Sequence, residues 1–147
     1  MEKFKVKISR ILKIISFTLM LSIVSLLTSI AHANPTVSSV SIHSANSVLI
    51  VTFSESVYNT SDGTGNLEVA DFALSVTGGT ATLNSVTPRS IARISQSMWA
   101  LMFDTSGIAD GSEVITVIPA NNTSIFDSAG NAAAEAQSNN TATFNLK

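Results

Sequence analysis

From residue 37 onward the chain alternates apolar and polar positions in steps of two, in short runs separated by Gly, Asn, Asp, Ser and Pro. That period is the signature of strands with one buried face. The clearest run is Ser47–Phe53, with Leu49, Val51 and Phe53 on one side and Val48, Ile50 and Thr52 on the other. Val37–Ser44 precedes it, with Val40 and Ile42 aligned. Asp71–Val76 points Phe72, Leu74 and Val76 inward, and Gly78-Gly79 turns the chain into Thr80–Val86, which Thr87-Pro88 ends. Met98–Phe103 aligns Trp99, Leu101 and Phe103. Asp110-Gly111 is a turn signal, followed by Glu113–Ile118 with Ile115 and Val117 inward, and Pro119 closes that strand. Thr141–Leu146 is the last, aligning Ala142, Phe144 and Leu146. Seven antiparallel strands and no helix predict an all-β sandwich around one core, with Trp99 at its centre; Ala132–Ala136 is too short to be helical alone.

The chain before residue 34 follows another rule. Lys3, Lys5, Lys7, Arg10 and Lys13 open it, a 17-residue run from Ile14 to Ile30 is largely apolar, and Ala31-His32-Ala33 offers small residues for cleavage. This reads as a signal peptide over 1–33, with the β-domain over 34–147. The run is at the lower edge of what spans a bilayer and is diluted by serine and threonine, so no stable membrane insertion is expected after cleavage. The product is expected to be secreted or held at the cell surface.

Removing 1–33 changes the electrostatics. The domain keeps only Arg89, Arg93 and Lys147 against nine carboxylates, a formal charge of −6 where the full chain has −2. Such a surface repels phosphate backbones and anionic lipid, so nucleic acid is not an expected partner. With no cysteine, neither disulfides nor thiol chemistry is available, and His43 is the one histidine left.

Several segments together resemble the bacterial Ig-like modules of S-layer proteins and large repeat adhesins. They are Val51-Thr52-Phe53-Ser54-Glu55-Ser56-Val57, Asn66-Leu67-Glu68-Val69-Ala70-Asp71-Phe72, Gly78-Gly79-Thr80-Ala81, Gly111-Ser112-Glu113, Val117-Ile118-Pro119-Ala120 and Ser124-Ile125-Phe126-Asp127-Ser128-Ala129-Gly130-Asn131. The resemblance implies a single Ig-like β-sandwich used as a surface spacer or adhesive unit. Such modules usually come in tandem, whereas this chain holds one copy, without an anchoring motif, as a short stand-alone protein or a truncated larger one would.

Candidate chemistry is sparse. Aligning Gly65 with the glycine of a calcium-binding EF-hand loop puts Asp62 and Asp71 at ligand positions, but Thr60 and Thr64 replace the expected donors and a strand follows. Asp127 and Asn131, four apart around Gly130, could aim oxygens at one point that Glu55 approaches from the end of the best strand. Calcium at weak affinity is the ion such donors would take; alternatively Asp127 and Asn131 cap their own turn. Tyr58 is the best exposed aromatic for a ligand such as a glycan, because the other aromatics fall mainly on inward positions. Arg89 and Arg93 either pair with carboxylates or clamp an anion. No serine sits in a nucleophile elbow, and no catalytic residue is expected.

The expectation is therefore a non-catalytic surface module, with other surface-protein modules or glycans as partners. A glycan-binding module is the alternative, and a small hydrolase a remote one.

Overall fold

The computed structural model describes residues 32–147. The leader read over 1–33 lies outside them, apart from its last two residues. Nine strands follow in order: β1 (Val37–Ile42), β2 (Val48–Phe53), β3 (Phe72–Thr77), β4 (Thr82–Leu83), β5 (Ser90–Ser95), β6 (Met98–Met102), β7 (Thr105–Ser106), β8 (Val114–Pro119) and β9 (Thr141–Thr143). Among the described residues there is no α-helix, only a single 3-10 turn at Val69–Asp71 just before β3. No helix there is long and apolar enough to cross a membrane.

The strands form a four-stranded sheet ordered β1-β2-β6-β5, a three-stranded sheet ordered β3-β8-β9, and a two-residue ladder of β4 with β7. All pairings are antiparallel. The inward rows of the two main sheets share one core: Leu49, Val51, Phe53, Trp99 and Leu101 from the first, Phe72, Leu74, Ile115 and Val117 from the second. Phe53 meets Phe72 across it with ring centroids 6.4 Å apart, and Phe103 meets Phe144 at 6.0 Å. Trp99 is buried as expected, and its indole N–H donates to the Gln96 carbonyl at 3.3 Å.

Three strand expectations change. Thr80–Val86 is not a continuous strand: only Thr82 and Leu83 pair, because the N–H groups of Thr80 and Ala81 are taken by the Glu113 carboxylate. β5 was not anticipated. It is an edge strand whose inner row is only Ile91 and then Arg93, so its hydrophobic alternation is faint. The last strand stops at Thr143 rather than Leu146, because the Asn46 side chain takes over the pairing there. Leu146, expected inward, is 74% exposed.

Asn46 closes the β1–β2 hairpin at φ +50, a left-handed backbone that asparagine tolerates better than most residues. Its buried amide copies a strand partner: Oδ1 accepts from Asn145 N at 2.8 Å and Nδ2 donates to the Asn145 carbonyl at 2.7 Å. The hairpin is thus tied to the chain beyond β9, at a net gain of about 0.5–1.5 kcal/mol per bond.

Trp99→Ala is expected to lower the free energy of unfolding by about 3–5 kcal/mol in urea titration, with Trp99→Phe milder. A loss under 1 kcal/mol for the alanine variant would contradict the central place given to this ring.

Candidate functional site

The strand directions put two loop clusters at opposite ends of the sandwich. At one end lie the β1–β2 hairpin, the turn after β3, the segment before β8 and the residues after β9. At the other lie the β2–β3 connection and the long segment between β8 and β9.

The first end is organised by Glu113. Its place one residue before β8 puts it on the same face as Ile115 and Val117, so the side chain points inward, with no measurable exposure. No cation meets it: the one ion pair among the described residues is Arg89 Nε with Asp104 Oδ2, 3.1 Å apart at the surface. Backbone amides meet it instead. Oε1 accepts from Thr80 N and Ala81 N, each at 2.9 Å, and Oε2 accepts from Gly111 N at 3.1 Å and Asp110 N at 3.2 Å. A carboxylate held by several oriented N–H groups is stabilised in its charged form. The bond from Ala81 does most, burial opposes it, and the amides of Asp110 and Thr80 add to it, holding the carboxyl down at about 2.

The turn after β3 is shaped to admit this carboxylate. Gly79 sits at φ +58, and a Cβ there would overlap the Glu113 carboxyl group. Any side chain at 79 therefore evicts Glu113 in addition to straining the backbone. Thr80 Oγ1 also donates to the Ile108 carbonyl at 2.7 Å, so the two turns are joined on both sides.

At the opposite end Asp127, fully buried, performs the same work on a smaller scale. Its Oδ1 accepts from Ala129 N and Asn131 N, each at 2.8 Å, and its Oδ2 from Asn131 Nδ2 at 2.7 Å. Burial pushes this carboxyl up, but the side-chain and backbone bonds of Asn131 and the amide of Ala129 outweigh it and leave it below its ordinary value. Asp127 and Asn131 are thus brought together, but with the Asn131 amide donating to the carboxylate. Glu55, half-buried after β2, shares no hydrogen bond with either among the described residues. The loop is also locked from outside: a Cβ on Gly130 would lie 2.6 Å from the Ser61 carbonyl oxygen.

Tyr58, read as an exposed platform, is half-buried, and its backbone is bridged to Phe126 by reciprocal 2.8 Å bonds. Asp62 and Asp71 do not face a common point. Asp62 Oδ1 accepts from the hydroxyls of Thr60 and Thr64, both at 2.6 Å, while Asp71 Oδ2 accepts from Glu68 N at 2.7 Å. Arg89 pairs with Asp104, and Arg93 donates to Asn66 and Gln96. His43 is exposed, and its Nδ1 accepts from Ala45 N at 3.3 Å. Among the described residues no three of His, Asp and Glu stand close enough to hold a metal ion.

Glu113 was not singled out from the sequence, although the signal was there: a charged residue on the inward parity of a strand, just after a Gly-containing turn. The same alternation that located β8 could have flagged it.

Searches of protein-family models, of curated proteins and of solved structures found no match to this chain.

Two outcomes are expected. Glu113 has a folded value of about 2 against an ordinary 4.5, so its contribution is complete above pH 4.5 and is lost as pH falls from 4.5 through 2. Melting midpoints should therefore fall steeply across that window. Glu113→Gln should lower the midpoint at pH 7 by on the order of 10 °C and flatten the acid limb, because its NH2 faces donors. A variant as acid-sensitive as the parent would assign the acid limb to other carboxyls. Secondly, Asp127→Ala should lower the midpoint, whereas millimolar calcium or a chelator should leave the parent midpoint unchanged. A calcium-dependent rise would mean that the Asp127 loop opens to present its oxygens.

Proposed function

We propose that the chain is an exported, non-catalytic Ig-like module that serves as a spacer or adhesion unit at the cell surface. The single observation that supports this reading is the strand order. Sheets ordered β1-β2-β6-β5 and β3-β8-β9 follow the connectivity of a constant-type Ig sandwich, in which the first, second, fifth and fourth strands face the third, sixth and seventh. In that correspondence the β4–β7 ladder is an addition to the basic seven strands.

The physical properties of the domain suit the role. Its buried polar side chains bind the connections at the ends of the sandwich, so the ends are stiff without disulfides. Acidic side chains outnumber basic ones nine to three over 34–147, which keeps such units soluble and separated outside the cell. The basic and then apolar leader supplies the route there.

The test is expression of the full chain in a secreting host, followed by fractionation and N-terminal sequencing of the product. The reading expects an extracellular or surface-bound protein beginning at or near Asn34. Retention in the cytosol with residues 1–33 intact would overturn it.

A further inference from the structure

The outer face of the four-stranded sheet bears no charge. β2 contributes Val48, Ile50 and Thr52; β6 contributes Met98, Ala100 and Met102; β5 adds Ser90 and Ala92, and β1 adds Ser39 and Ser41. These residues share a face because each is paired in register with its neighbour: Ser41 with Ile50, Ile50 with Ala100, and Ala100 with Ala92. Sheets solvated on one side normally alternate apolar with polar residues, whereas strands covered on both faces read as continuous apolar runs. Here β2 is Val-Leu-Ile-Val-Thr-Phe and β6 is Met-Trp-Ala-Leu-Met, so the two central strands are written for two covered faces. The chain itself covers one.

The other sheet shows the contrast. Its outer face presents Ser75, Thr77, Thr116, Thr141 and Thr143, whose hydroxyls water satisfies. The apolar outer surface is therefore specific to the first sheet.

We infer that this face is a self-association surface, on which a second copy of the chain packs sheet to sheet about a two-fold axis near Ala100. The relief of the face is what selects a second copy over other occupants. A ridge of branched side chains along β2, centred on Ile50, lies beside a furrow of small ones, Ala100 and Ala92. A two-fold rotation sets each ridge into the other copy's furrow, as an isologous interface requires. The absence of charge removes the repulsion that two acidic copies meet elsewhere on their surfaces. Four strands spaced at about 4.8 Å, each giving about five residues at 3.3 Å, present about 300 Å² of flat area. A pair then buries on the order of 1,000 Å² once side-chain relief is counted, the lower limit of a specific interface. The dimer is accordingly weak, with Kd on the order of 10–500 μM, a range in which tethering two copies to one surface raises occupancy strongly.

This inference rests on the sheet alone and stands or falls separately from the proposed surface role. Sedimentation equilibrium of the protein recovered from full-chain expression, from about 10 μM to 1 mM, should show the mean mass rising from monomer towards dimer. Ile50→Lys and Ala92→Glu each place a charge on the face at positions that point out of the core. Both should weaken association at least tenfold while keeping the parent melting midpoint within a few degrees. Ser75→Lys, on the outer face of the other sheet, should associate as the parent does. A parent that stays monomeric throughout, or a Ser75→Lys effect equal to that of Ile50→Lys, overturns the assignment.

Discussion

One buried carboxylate fixes the shape of an entire end of this molecule. Glu113 has no cation to pair with, so it survives inside only because four backbone N–H groups from two turns converge on it. The dependence runs in both directions. Without the carboxylate, the amides of Thr80, Ala81, Asp110 and Gly111 would have to find other acceptors in a region that excludes water. Without the glycine at 79, the carboxylate would have no room. The bond from Phe144 N to the Glu113 carbonyl, 2.9 Å, extends the same constraint to the chain beyond β9, so the end closes as a unit.

This arrangement answers a problem set by composition. The chain has no cysteine, so loops that other exported domains staple with disulfides must be held otherwise. Three polar side chains do it here. Glu113 clamps two turns, the Asn46 amide stands in for a missing strand partner, and Asp127 closes its own five-residue loop. In each case a side-chain oxygen accepts from backbone N–H groups, satisfying donors that a loop would otherwise leave unpaired. Two of the nine carboxylates of the domain are thereby committed to structure, so its acidity overstates the charge available at the surface.

Parity explains how much of this was legible. Leu49, Val51, Phe53, Trp99, Leu101, Ile115 and Val117 announce themselves by alternation, and the core contains all of them. The sequence was less informative wherever a side chain replaced a ladder. Thr80–Val86 looks like a strand by composition, but its first amides serve Glu113, a partner 32 residues away for Ala81, which no local pattern encodes. The end of β9 is set in the same way by Asn46, 99 residues from its partner Asn145. β5 was obscured for another reason: an edge strand with only Ile91 and Arg93 on its inner row carries little hydrophobic signal. The Asp127–Asn131 pair was visible as a pair, and the choice between capping a turn and presenting oxygens depends on amide orientations that sequence does not carry.

The same parity argument also bears on the outside of the fold. In β8 the outer row is Val114, Thr116 and Ile118, and its neighbours on that face are hydroxyl-bearing residues from β3 and β9. In β2 and β6 the outer row is larger and flanked by serine and alanine, so nothing polar shields it. Folding alone does not call for this, because the core is complete with the inner rows. Leaving Val48, Ile50, Met98 and Met102 towards water sacrifices about 25 cal/mol for each Å² of apolar surface left uncovered. A buried charge kept for its amides and an apolar row left on the surface are thus opposite departures from simple patterning. The first is explained within the chain, by the turns that Glu113 holds; the second has no counterpart within the described residues and points outward, to whatever covers that sheet.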